Sequence, residues 1–175
     1  MKGAISSCLA LLVETRFGKD KWEAIRKDAG AGAIAGLRIA TSDVDDTTLT
    51  RLPDSTCKVL GISSVQAADA FGEYWCCTYA PVIYKNYVRR FSNAREMILG
   101  MDQIHVEFTE RMANARPPRF DYGWENEQSL IVTYKSPRGM MDIYVGLVRG
   151  VGKYFKESLT VQKLSASQCR IQFAH

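Results

Sequence analysis

Residues 92–112 read SNAREMILGMDQIHVEFTERM, and this stretch sets the architecture. Asn93 suits an N-cap, and Ala94, Met97, Ile98, Met101, Ile104, His105, Phe108 and Met112 recur at helical spacing on one face. The spacing predicts a long amphipathic helix carrying one imidazole on its apolar stripe. Pro117-Pro118 closes it, because proline supplies no N–H and constrains the residue before it. Beyond the prolines the pattern changes to strand-like runs: Arg119-Phe120-Asp121, then SLIVTY at 129–134, then SLTVQKL at 158–164 and CRIQF at 169–173. Between them MMDIYVGLVRGVGKYF (140–155) returns to helical spacing. Ser165-Ala166-Ser167-Gln168 supplies the last turn.

Upstream of residue 92 the pattern is helical. Ile5, Leu9 and Leu12 lie on the inner face of a first helix, and Asp20 can cap a second that stops near Gly30. AGAGAIAG at 29–36 is a flexible connection, and a helix covers about 45–60. Ser63 or Ser64 caps a helix running VQAADAFGEYWCCTY, which Pro81 interrupts. The expected fold class is therefore α+β: a helical N-terminal part, then an antiparallel sheet with an inserted helix. One domain of 175 residues is long enough to bury a sizeable core.

Composition narrows the function. The net charge is +4, but Lys19, Lys21, Lys27, Arg89, Arg90, Arg111, Lys153 and Lys156 are scattered among acids, so no nucleic-acid partner is expected. The start, MKGAISSCLALLVETRFG, is read as an amphipathic helix rather than a signal peptide, and no run approaches the roughly 20 apolar residues that span a bilayer. No membrane contact is expected. Five cysteines without framework spacing (Cys8, Cys57, Cys76, Cys77 and Cys169) suggest reduced thiols and a cytoplasmic location. Cys76-Cys77 reads as helix packing. No Cys-x-x-Cys-His occurs, so a cofactor attached through thioether links is excluded.

Only two histidines occur, His105 and the terminal His175. Downstream of His105 stands Tyr134-Lys135-Ser136-Pro137-Arg138, which in an extended segment puts two hydroxyls and a guanidinium on one face. Those groups are donors suited to carboxylates. Read alone, His105 is either a core histidine bonded to something buried or a neutral imidazole ligating iron. Zinc does not fit, since it takes three or four protein ligands. One ligand suffices where a porphyrin fills the other positions. An apolar, metal-centred, carboxylated cofactor, haem, joins the two features.

In this order and spacing, the MKG opening, DKWEAIRKDAG (20–30), AFGEYW (70–75), MDQIHVEFTERM (101–112), RPPRF (116–120), TYKSPR (133–138) and MMDIYVGLVRG (140–150) resemble the bacterial haem–nitric oxide/oxygen binding (H-NOX) family. That family is related to the haem domain of soluble guanylate cyclase. The resemblance implies an H-NOX fold with haem b between a helical subdomain of about 1–62 and a haem-ligating subdomain of about 63–175. It implies His105 as the iron ligand and Tyr134, Ser136 and Arg138 as propionate partners. Pro118 would press on the porphyrin, and Ile5, Leu9, Met101, Met140, Ile143 and Leu147 would line the pocket. Asp45 stands where relatives pair an acid with the propionate-binding arginine.

The resemblance also bears on the gas. O₂-binding members place a tyrosine on the helix after the Tyr-x-Ser-x-Arg run; here Ile143 stands there, preceded by Asp142 as in soluble guanylate cyclase. Tyr144 is rotated about 100° further round. Leu9 and Trp75 replace residues that assist O₂ binding, and Tyr74 is the other nearby hydroxyl. The implied function is a non-enzymatic sensor of NO (and CO) at ferrous haem that excludes O₂. It signals through a weakened Fe–His105 bond to a histidine kinase, diguanylate cyclase or chemotaxis receptor; no catalytic residue is assigned. The alternative is an O₂-binding haem sensor or store.

Overall fold

The computed structural model describes residues 2–32 and 35–174, which form two compact units. The first comprises residues up to Ala67 together with Asn114–Arg116; the second comprises Ala68–Ala113 and the chain from Pro117 onward.

In the first unit α1 (Ala4–Phe17), α2 (Lys19–Asp28) and α3 (Asp46–Leu60) pack together. α1 is buried on most sides, with Ser6, Cys8, Leu9, Ala10, Leu12 and Val13 inside, while Ile5 is only half-buried. The Ser6 hydroxyl donates to the Gly3 carbonyl at 3.0 Å, so the polar group is satisfied inside the core. Gly18, at φ +92°, turns the chain directly into α2. It takes the cap position expected for Asp20, which instead lies in the first turn of α2. Trp22 and Ile25 bury the inner face of α2. Asp45 caps α3 by accepting from the Thr48 amide at 3.0 Å.

α4 (Ser64–Tyr74) opens with a reciprocal cap: the Ser63 hydroxyl accepts from the Gln66 amide, and the Gln66 side chain accepts from the Ser63 amide. Pro81 does not interrupt the helix. The turns before it widen into a π segment, Trp75–Tyr79, in which the Ala80 amide donates to the Trp75 carbonyl. Pro81 then occupies the first turn of α5 (Ala80–Ile83), where a missing N–H costs nothing. After α6 (Lys85–Val88), Asn93 caps α7 (Ala94–Arg111) by accepting from the Glu96 amide at 2.8 Å. The Glu96 carboxylate returns a bond to the Ser92 amide.

Four antiparallel strands follow: β1 (Arg119–Trp124), β2 (Ser129–Lys135), β3 (Leu159–Lys163) and β4 (Gln168–Phe173), in spatial order β1-β2-β4-β3. α8 (Met141–Phe155) is inserted between β2 and β3. Leu130, Val132 and Tyr134 alternate inward on β2, as do Cys169, Ile171 and Phe173 on β4. They pack in one core with Met141, Tyr144, Val145, Val148 and Val151 of α8. The helix-then-sheet order with an inserted helix is the architecture expected from the sequence.

α8 meets α4 through glycine. A Cβ on Gly146 would overlap the Ala68 carbonyl, and one on Gly72 or Gly150 would overlap backbone of the opposite helix. Backbones therefore touch where side chains would separate them. The Arg149–Asp69 and Lys153–Glu73 ion pairs flank the contact.

Candidate functional site

His105 lies on α7, half-buried, with its ring 5.4 Å from that of Phe120. Its Nδ1–H donates to the Pro118 carbonyl at 2.7 Å. A carbonyl can only accept, so the proton sits on Nδ1 and the lone pair on Nε2. Burial pulls the imidazole below its ordinary pKa, which keeps the ring neutral. A neutral ring with one nitrogen anchored and the other free is the form that ligates a metal.

Asp102, one turn before His105, locks α7 onto β1. Its carboxylate accepts from Arg119 Nε at 2.7 Å, Arg119 Nη2 at 2.6 Å and the Phe120 amide at 2.8 Å. The Arg119 bonds hold the carboxyl below its usual range. Tyr122 adds a hydrogen bond from its hydroxyl to the Ile98 carbonyl at 2.8 Å. Residues 118–120 are thereby fixed beside the imidazole.

The Tyr-x-Ser-x-Arg run is brought together, but not by strand alternation as expected. Only Tyr134 belongs to β2, which ends at Lys135; Ser136 and Arg138 lie in the following turn. Pro137 offers no amide to a ladder, and Gly139 turns the chain at φ +64°. The Ser136 hydroxyl accepts from the Arg138 amide at 3.3 Å and from its guanidinium at 3.5 Å. Tyr134 also bonds Ser136, and burial raises the phenol. Phe120 connects the two halves of the site: its ring lies 5.9 Å from that of Tyr134 and 5.4 Å from that of His105.

Met101, Met140 and Leu147 pack half-buried against the core, and Ile143 is half-buried on α8. Tyr144 turns away from Ile143: its ring stacks on Phe120 at 4.8 Å and lies 6.0 Å from Tyr134. Trp75 stacks on Tyr84 at 5.9 Å. Ile5 and Leu9 belong to the first unit, as does Asp45, whose carboxylate is engaged as a helix cap. All described cysteines are free thiols, and the buried Cys76 donates to the Leu147 carbonyl, which is a packing role.

The donor set passes a test for haem. Among the described residues no group of three His, Cys, Asp or Glu side chains could hold an ion by itself. A single imidazole with a free Nε2, beside a clustered Tyr-Ser-Arg donor set, fits a metal that brings most of its own ligands. Asp102, Arg119 and Phe120 were missed in the sequence. The signal available was an acid one turn before the histidine and an arginine just after Pro117-Pro118.

The Haem-NO-binding family model matches residues 2–163. The chain belongs to this family. As an H-NOX protein it falls among haem-binding gas-sensor domains. The chain is 27% identical over 168 residues to soluble guanylate cyclase gcy-35 of Caenorhabditis elegans, covering 94% of this chain and 24% of that relative. It thus spans about a quarter of the relative's length. An H-NOX protein from S. oneidensis in the Fe(II)NO ligation state superposes with TM-score 0.85 at 17% identity, covering 100% of both chains. An oxygen-binding H-NOX domain related to soluble guanylate cyclases, solved as its oxygen complex, gives TM-score 0.79 at 21% identity, covering 100% of this chain and 96% of that one. NO-ligated and O₂-ligated relatives therefore share the fold, so the fold does not select the gas.

Proposed function

We propose that this H-NOX chain senses NO, and also binds CO, at a ferrous haem b while excluding O₂. The observation that carries the reading is the His105 Nδ1–H bond to Pro118, which leaves Nε2 as the one imidazole nitrogen available to iron. Tyr134, Ser136 and Arg138 would take the two propionates, which match their donors. When bound, haem supplies a ferrous iron with an open position for a diatomic gas. His105 is the point at which α7 would grip the cofactor. Loosening that grip would leave α7 still held to β1 through Asp102 and Tyr122, so the helix and its strand would shift together. Such a two-state shift, biased by ligand, is what a sensor reports.

Exclusion of O₂ follows from donors. Bound O₂ is polar and gains from a hydrogen bond, whereas bound NO gains less. Ile143 offers none, and the Tyr144 ring is stacked into the sheet core. The O₂-binding alternative needs a donor from Tyr144, Tyr74 or Trp75. The proposed pocket also draws on Met101, Met140 and Leu147, with Pro118 against the porphyrin. No catalytic residue is assigned. The output passes to a histidine kinase, diguanylate cyclase or chemotaxis receptor in the cytoplasm, a location supported by the free thiols.

The test is the absorption spectrum of the reduced protein alone, with NO, with CO and in air. NO and CO should each shift it, the NO form being five-coordinate, and air should yield slow oxidation without a stable oxy spectrum. A stable oxy spectrum would refute O₂ exclusion, and a protein that takes up no haem would refute the reading altogether.

A further inference from the structure

We propose that the turn formed by α5 and α6 is a peripheral docking site for an anionic phospholipid surface. Val82 and Ile83 stand 73% and 51% exposed on consecutive positions. Lys85, Asn86, Arg89 and Arg90 continue the exposed surface. No acid occurs in the chain between Glu73 and Glu96, while Lys85, Arg89, Arg90 and Arg95 all fall there. Arg95 is used elsewhere, lying over the rings of Trp124 and Phe173.

The turn is rigid beneath its exposed tip. Tyr79, Ala80 and Val88 are buried. Tyr84 meets Phe108 edge-on at 5.5 Å, and Tyr87 stacks on it at 4.9 Å. Two aliphatic side chains are thus held outward by a packed base rather than by a floppy loop. The acids facing the turn come from α7. Glu107 is engaged by Arg90 at 2.8 Å, with Arg111 beside it, and Glu110 lies one turn further along α7. Lys85 and Arg89 make no ion pair among the described residues. A local excess of positive charge therefore surrounds an apolar tip.

Size decides the occupant. A standard protein–protein interface uses about 20–30 residues a side. Six exposed residues fall far short of that, yet they suffice for a lipid surface. Aliphatic tips enter below the headgroups, and lysine and arginine stems reach back to the phosphates. The sequence reading excluded membrane contact because no stretch can span a bilayer, and no described helix is long and apolar enough to do so. A peripheral contact needs no span.

The experiment is vesicle co-sedimentation of the full chain with phosphatidylcholine alone and with 30% phosphatidylglycerol, at low and high salt. Binding is expected only to the anionic vesicles and should weaken with salt. Each basic residue contributes on the order of fivefold, so Lys85→Gln with Arg89→Gln should weaken binding about 25-fold. Val82→Ser with Ile83→Ser should weaken it at least about tenfold without changing the thermal melt, since both residues are exposed. Lys19→Gln with Lys21→Gln removes the same charge from the exposed surface of α2 and should bind within about twofold of the parent. No binding to anionic vesicles, equal binding to neutral ones, or equal loss in the α2 variant would overturn the proposal.

Discussion

Burial alone would leave His105 free to carry its proton on either ring nitrogen. The Pro118 carbonyl removes that freedom by accepting from Nδ1–H at 2.7 Å. Asp102 in turn fixes the segment that supplies the carbonyl, through Arg119 and the Phe120 amide. Asp102→Ala would leave the Phe120 amide without its acceptor and Arg119 without its fork, at a cost of about 1–3 kcal/mol, read as a lower urea midpoint. An unchanged midpoint would mean that the clamp contributes nothing. His105 was legible in the sequence because a helix's inner face is written in its 3.6-residue period. The Pro118 bond was not, because no periodicity says where a carbonyl thirteen residues away will point. Tyr134, Ser136 and Arg138 were legible as residue types. Their meeting through a serine turn was not, since Pro137 ends the strand that alternation assumed.

Helix α8 approaches α4 so closely that a single methyl decides their separation. Gly146→Ala sets a Cβ against the Ala68 carbonyl, which is backbone and cannot swing aside. The expected loss is about 1–3 kcal/mol in chemical denaturation. If the variant is as stable as the parent, the helices are not in backbone contact. At the other end of the sheet, Arg170 and Ser129 hold Glu125 and depress its carboxyl to about 2 from its usual 4.5. A depressed carboxyl stabilises the fold fully above the unfolded value and loses that effect as pH falls towards the folded one. The urea midpoint of Glu125→Gln should therefore lie below the parent's at pH 7, with the gap closing between about pH 4.5 and 2. A gap that persists at pH 2 would contradict the pairing. The helices and strands were readable from their caps and alternation. The π segment at Trp75–Tyr79 was not: the sequence shows a proline at 81, but the widened turns that accommodate it are set by packing.

On the proposed reading the molecule offers the iron one imidazole, that of His105, and holds one cofactor. A group that binds only the folded chain stabilises it by mass action, about 2.7 kcal/mol at a hundredfold excess over Kd. For a chain of this size, removing haem should lower Tm on the order of 5–10 °C, measured by calorimetry with and without it. Residues 114–116 join the first unit through contacts distant in sequence, such as Asn114 donating to Asp43 at 3.3 Å, which no local pattern signals. The most direct measurement is the absorption spectrum of reduced, haem-loaded His105→Gly, recorded with and without added imidazole. The variant should lose the histidine-ligated spectrum of the parent and regain it when imidazole fills the space. A histidine-ligated spectrum in the variant without imidazole would show that the iron is held elsewhere.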